Sequence, residues 1–363
     1  MKKKVLILST IQGHASLAEA MREELETLGF EPIVHSYVDP ILPAYRVFYQ
    51  HAPQLIKIAY LGVNRTSLEL FVRQYLQSNY DKRLQDQVDL HQPACIICTN
   101  WGFNPSLDKF SEKNSIPSVN ILNDPRTFFN FNVMTQGAVN CVFDKTVAHA
   151  VKGQFPTAQV EITGWPVQKV FEDSYRMETI RKELGFKSDL PLFLFVTGSE
   201  GTKMVLPIVR ELVDRQLPIQ IAIICGRNKQ LAEELKMMRS ALSKQSPTTL
   251  TVLGFTTEIY KYMQASDLVI GKAGPNTLFE SVATLTPFMA TTHISGQEDG
   301  NLDIITDYEV GYVAEDTTLA VETLIELGKN PKQLEKFKPA LKKLATHNAR
   351  SKTAILKFVI DKI

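Results

Sequence analysis

Leu268-Val-Ile-Gly-Lys-Ala-Gly-Pro-Asn-Thr-Leu-Phe-Glu280, followed at a short distance by Ser295-Gly-Gln-Glu-Asp-Gly-Asn301, decides how this chain is read. An apolar strand runs into a Gly/Pro loop and then into a helix that opens with Asn276 and Thr277. A helix start of that kind presents backbone N–H groups and the positive end of the helix dipole, a combination that favours phosphate. Glu280 lies three to four residues inside the helix, and the second polar loop follows the next strand. Phosphate donors, a carboxylate and a cluster of polar amides together point to a nucleotide-sugar site. Taken alone, Glu280 reads equally well as a capping-box residue paired with Thr277.

Outward from that stretch, strands and helices alternate along two series. The first begins with the strand Val5–Ser9 and a helix whose apolar stripe is Leu17, Met21, Leu25 and Leu28; Ser16 and Glu19 form a capping-box pattern and Gly29 a stop. Pro32–Tyr37, Ala94–Thr99, Ser118–Leu122 and Asn140–Phe143 read as further strands, and residues 40–80 as helical and aromatic. The second series starts at Leu192–Val196 and continues through Ile219–Cys225, Leu250–Leu253, Leu268–Ile270, Phe288–Thr292 and Gly311–Val313. Alternation of this kind predicts parallel sheets, with ligands at the carboxyl ends of the strands. A length of 363 residues suits two domains.

The bulk composition excludes some classes. A formal charge of +1 gives no net field for nucleic acid. The apolar run after Met1-Lys-Lys-Lys ends at Ser9-Thr10, so it reads as a first strand, and no run reaches the roughly 18 apolar residues a membrane span needs. Cys95-Ile-Ile-Cys98 has CxxC spacing, but strand alternation aims the two thiols at opposite faces, against a metal or redox pair. Cys141 and Cys225 also sit in apolar runs, and buried reduced cysteines imply a cytoplasmic setting. From Lys329 onward, ten Lys/Arg stand against Glu335 and Asp361, a face suited either to solvent or to anionic lipid. Nothing in the sequence sets an oligomeric state.

Five strand-end loops carry small and polar residues: Gly13-His14, Thr197-Gly-Ser-Glu-Gly201, Cys225-Gly-Arg-Asn228, Gly254-Phe255, and the opening motif with its Ser295–Asn301 companion. In that order they resemble the GT-B glycosyltransferases of the monogalactosyldiacylglycerol synthase and processive diacylglycerol glucosyltransferase type, of the glycosyltransferase family 28 kind. Tyr60-Leu-Gly-Val-Asn64, Leu90-His-Gln-Pro93 and Thr163-Gly-Trp-Pro-Val167 resemble connecting segments of the same family, so the likeness covers nearly the whole chain. The resemblance implies an α/β GT-B fold, two Rossmann-like parallel-sheet domains facing a cleft. The domain expectation is an acceptor-binding, membrane-facing domain over 1–168 and a UDP-sugar-binding domain over 169–344, with a C-terminal helix of about 345–363 packing back on the first.

The implied activity is inverting transfer of a hexose from a UDP-sugar to a lipid hydroxyl, diacylglycerol in the first instance. Gly198 and Ser199 would approach the donor diphosphate, with Arg227 bracing the site, and Phe255 would lie against the uracil. Gly274, Pro275, Asn276 and Thr277 would form the phosphate cradle and Glu280 would take the ribose hydroxyls. Gln297, Glu298 and Asn301 would read the sugar, and His14 and Asp124 would serve as base and as orienter of the acceptor hydroxyl. The resemblance implies no metal and no cofactor beyond the UDP-sugar co-substrate. The aromatic and basic segment Tyr45–Tyr75 and the basic tail would rest on the anionic inner face of the cell membrane.

This chain departs from the family pattern in three places. Its first loop is Thr10-Ile-Gln-Gly13 where glycines are expected, Gln168 stands for an expected Arg, and Asn123-Asp124-Pro125 replaces a Thr-Asp pair whose following His is missing. Two alternatives therefore stay open: a UDP-N-acetylglucosamine 2-epimerase-like enzyme, and a catalytically silent UDP-sugar-binding protein at the membrane.

Overall fold

The computed structural model describes residues 2–10, 14–38, 62–64, 66–173, 175–198 and 204–361. Ser199 and Gly13, and Tyr45, Arg46, Phe48, Tyr49, Lys57, Tyr60 and Arg65 of the aromatic segment, lie outside that set. The chain forms two compact units: Met1–Lys169 with Ile294–Gly300 and His347–Ile363, and Val170–His293 with Asn301–Thr346.

The first unit is built on a six-stranded parallel sheet in the order β2-β1-β3-β4-β5-β6. Its strands are β1 (Lys4–Ser9), β2 (Glu31–Ser36), β3 (Cys95–Cys98), β4 (Ser118–Ile121), β5 (Ala138–Val142) and β6 (Gln159–Ile162). Val5, Leu6, Ile7 and Leu8 are all fully buried, as expected of a parallel strand covered on both faces. The helix His14–Thr27 packs against β1, β2 and the C-terminal helix Ser351–Ile360. Leu17, Met21 and Leu25 of its stripe are buried, whereas Leu28 at its end is 46% exposed. The helix begins at His14, two residues before the expected start, so Ser16 falls inside the first turn. Glu19 pairs with Arg22 at 2.5 Å, a lateral i,i+3 contact.

The second unit holds β7 (Leu192–Val196), β8 (Gln220–Ile224), β9 (Thr249–Leu253), β10 (Leu268–Lys272), β11 (Phe288–Thr292) and β12 (Gly311–Val313). All are parallel, in the order β12-β11-β10-β7-β8-β9. The order reverses between β7 and β10, and at such a switch point the two following loops diverge and leave a crevice. Those strands meet so closely that a Cβ on Gly271 would lie 2.7 Å from the Val196 carbonyl oxygen, which only glycine permits. Arg181, 4% exposed, staples this unit: its guanidinium donates to the Ala265 carbonyl at 2.7 Å and to Asp267 Oδ2 at 2.7 Å.

Candidate functional site

The loops after β7 and β10 flank the switch point of the second sheet. After β7 the chain turns through Gly198 in the left-handed region, φ +66°. After β10 it turns through Ala273 and Gly274 into the helix Pro275–Ala283. Gly274 is the N-cap, in extended conformation and without any side-chain cap, and Pro275 occupies the first helical position. Proline there loses no hydrogen bond and pre-sets the helical φ. The next first-turn amides, those of Asn276 and Thr277, point out of the helix mouth, where the dipole is positive. Glu280 lies three residues beyond Thr277 and four beyond Asn276, so it shares their face about one turn, roughly 5 Å, below the mouth. Because the cap is Gly274 and Thr277 is already in the third helical position, Glu280 is not a capping-box residue.

Asn301 holds this turn from behind. Its side chain is buried and its Nδ2 donates to the Ala273 carbonyl at 2.7 Å, while its Oδ1 has no hydrogen-bond partner among the described residues. The geometry therefore gives Asn301 a bracing contact with the cradle's own backbone. Three strands from β10, Phe255 follows β9 with 68% of its surface exposed, and the Arg227 guanidinium sits 5.6 Å above its ring. Such a cation–π contact is worth only about 0.5–1 kcal/mol at an exposed position. It leaves a flat apolar face at the end of the sheet.

In the first unit the carboxyl ends of β1, β3 and β4 are knitted by side-chain amides. Asn100 Nδ2 donates to the Ser9 carbonyl at 3.1 Å, and Asn123 Nδ2 donates to the Thr99 carbonyl at 3.3 Å. Asp124 is next in line and is 4% exposed. Gln297 Nε2 donates to Asp124 Oδ1 at 3.1 Å, so two residues expected to act in the reaction touch each other across 173 positions of sequence. Glu298, also expected to read the sugar, is 3% exposed, and its Oε2 accepts the Ile294 amide at 2.7 Å. The loop is therefore tightly folded on itself. His14 opens its helix at the switch point between β1 and β3, and its side chain lies outside the described set.

Sequence reasoning missed Arg126 and Asp144. The Arg126 guanidinium donates to Asp144 Oδ2 through Nε at 3.0 Å and Nη2 at 2.9 Å, in a pair whose side chains are almost wholly buried. Asp144 Oδ1 accepts the Val147 amide at 3.1 Å and caps the helix Lys145–Gln154. The cap was readable as an Asp before a helix; its long-range partner was not.

Other groups have structural explanations. All four cysteines are free and buried. Burial pushes the Cys98 thiol up to about 12 and the Cys225 thiol up to about 11. In the basic tail Lys352 points inward, 4% exposed, and donates to the Val167 carbonyl at 3.0 Å; Lys336 lies over the rings of Tyr312 and Phe337. Of the aromatic segment, Phe71 is 66% exposed, beside exposed Leu68 and Leu70 on the helix Thr66–His91. Among the described residues no helix is long and apolar enough to cross a membrane.

Residues 192–357 match the glycosyltransferase family 28 C-terminal domain. The chain is 28% identical over 377 residues to a processive diacylglycerol beta-glucosyltransferase of Bacillus pumilus, covering 99% of this chain and 95% of that one. It is 31% identical over 217 residues to monogalactosyldiacylglycerol synthase 1, chloroplastic, of Arabidopsis thaliana, 56% of this chain and 37% of that one. Among solved structures, MurG of Acinetobacter baumannii superposes with a TM-score of 0.63 at 16% identity, over 98% of this chain and 99% of that one. A UDP-GlcNAc 2-epimerase of Neisseria meningitidis, bound to UDP-GlcNAc, gives 0.62 at 13%, over 99% and 100%. The fold is thus GT-B, and at these identities the structures speak for the fold alone.

Proposed function

We propose, from the match of residues 192–357 to the glycosyltransferase family 28 C-terminal domain, that the chain is an inverting glycosyltransferase moving a hexose from a UDP-sugar to the hydroxyl of diacylglycerol. The observation that carries the donor half is Glu280 one turn inside a helix that starts at the switch point of an open parallel sheet. The diphosphate would lie at the mouth formed by Gly274, Asn276 and Thr277, opposite Gly198, and Ser199, next in sequence, would be a further donor to it. The Glu280 carboxylate would accept from both ribose hydroxyls. Phe255 would cover the uracil face, and Arg227 would stay over its outer side.

The acceptor half rests on Asp124 and His14. In the reaction the acceptor oxygen attacks the anomeric carbon from the face opposite UDP while its proton passes to the base. The bond from the anomeric carbon to the phosphate oxygen breaks as the new glycosidic bond forms. Negative charge then develops on the departing diphosphate, where the helix mouth stabilises it without reorganisation. Gln297 is suited to contact the sugar because its amide already stands beside Asp124. The acceptor is a membrane lipid, and Leu68, Leu70 and Phe71 supply an apolar surface for peripheral contact with the bilayer.

Calorimetry of UDP binding tests the donor half. Losing two hydrogen bonds to a charged group, each worth about 1.5–3 kcal/mol, should weaken UDP binding of Glu280→Ala by at least tenfold. Unchanged UDP affinity and turnover in that variant would remove the donor assignment.

A further inference from the structure

We propose that the buried Arg126–Asp144 pair is a positioning device that fixes the 124–127 turn as a dock for the loop Ile294–Gly300, and so presents Gln297 to Asp124; the catalytic part of this inference rests on the reading of Asp124 given above. Three contacts define the dock. The Gln297 amide donates to Asp124 at one end. At the other, Gly300 lies against the backbone of the turn: a Cβ there would stand 2.6 Å from Arg126 Cβ, 3.0 Å from Thr127 Oγ1 and 3.3 Å from the Arg126 carbonyl carbon. Between them Arg126 is held by Asp144, which is itself held by the helix it caps.

The two oxygens of Asp144 divide the work. Oδ1 belongs to the Val147 amide and Oδ2 to the guanidinium, so the charge needed by Arg126 and the cap needed by the Lys145–Gln154 helix come from one side chain. Removing the counter-charge of a guanidinium this deeply buried is strongly destabilising for its placement. The loop is also braced internally, by Glu298 on the Ile294 amide and by Asp299 Oδ1 on the Gly296 amide at 2.7 Å. It therefore docks as a preformed unit, and its placement on Asp124 depends on the turn beneath it. Positioning of this kind acts on rate: an ångström of misplacement lowers turnover steeply and leaves nucleotide binding at a separate helix mouth untouched.

Asp144→Asn is the informative change. Asparagine caps helices as well as aspartate does, so the helix keeps its start, while the new amide turns a donor toward the donors of Arg126. Gly300→Ala disturbs the same dock from the opposite side, pressing on Arg126 Cβ and Thr127 while leaving both charges of the pair in place. In the full chain each variant should lower kcat at least tenfold on diacylglycerol liposomes while UDP affinity stays within twofold. Amides of residues 295–300 should exchange hydrogen faster in both. Combining Asp144→Asn with Asp124→Asn should cost no more than the worse single change, because the two act through one group. Unchanged exchange at 295–300 in both variants, losses that multiply in the double variant, or a loss carried by UDP affinity would each overturn the proposal. If Asp124→Asn alone keeps full turnover, the assignment of Asp124 fails, and the exchange rates then decide by themselves whether the dock exists.

Discussion

Asn301 and Glu298 show how a single residue's type can be informative while its contact is not. Both were expected to touch sugar hydroxyls. In the folded chain Asn301 donates its amide to the Ala273 carbonyl, and Glu298 accepts the Ile294 amide. Removing the amide in Asn301→Ala leaves a buried carbonyl unsatisfied at the base of the cradle, a cost of about 1–3 kcal/mol that should appear as roughly tenfold weaker UDP binding with the fold intact. Titration of UDP by calorimetry, with circular dichroism as the control, checks this. His35 offers a pH test at the same scale. Its Nε2 is buried with no hydrogen-bond partner among the described residues. Burial first, then the charges of Arg83 and His91, hold its pKa below the ordinary histidine value. The folded state therefore binds its proton less readily than the unfolded chain, so the contribution is present in full above the unfolded pKa of 6.5 and is lost as pH falls toward the folded value. Melting temperature should fall below about pH 6.5, and His35→Leu should flatten that part of the profile.

At the scale of elements, the sequence is a better guide to what an element is than to where it begins. Apolar runs bounded by small residues marked most strands of both sheets, because a strand buried on both faces has almost no polar freedom; the edge strand β6, Gln159–Ile162, was missed because only Val160 of it is buried. Helix starts were less legible. The cradle helix begins at Pro275 with Gly274 as its cap, two residues before Thr277, and the first helix begins at His14 before the Ser16–Glu19 pattern. At Pro275 the local side-chain signature lost to a glycine cap and a proline in the first helical position. Partnerships across the chain were not legible at all: nothing in the neighbourhood of Asp124 announces Gln297, and nothing near Asp144 announces Arg126. Arg181 is another such residue. It ties the helix Met177–Glu183 to Ala265 and Asp267, and Arg181→Met should cost about 1–3 kcal/mol by leaving the Ala265 carbonyl without its donor and the partly exposed Asp267 without its counter-charge. Thermal unfolding of that variant should show the drop directly.

At the scale of the whole molecule, two parallel sheets each reverse their strand order once, and part of the set singled out from sequence follows the strands at those reversals. Gly198 and Gly274–Glu280 flank one; His14 follows the other. This convergence makes the donor assignment stronger than any one loop could. The acceptor is argued from different ground: the likeness to enzymes named for diacylglycerol, and an apolar surface at Leu68, Leu70 and Phe71. The fold itself does not separate transfer from epimerisation, since a 2-epimerase superposes about as well as MurG does. Chemistry separates them. The protein should be incubated with radiolabelled UDP-glucose or UDP-galactose on liposomes containing diacylglycerol, and the lipid and water-soluble fractions analysed. The account predicts label in a glycosyl diacylglycerol with release of UDP, and none without the lipid. Label that never enters lipid, or a UDP-sugar converted to its epimer in the absence of liposomes, would contradict it.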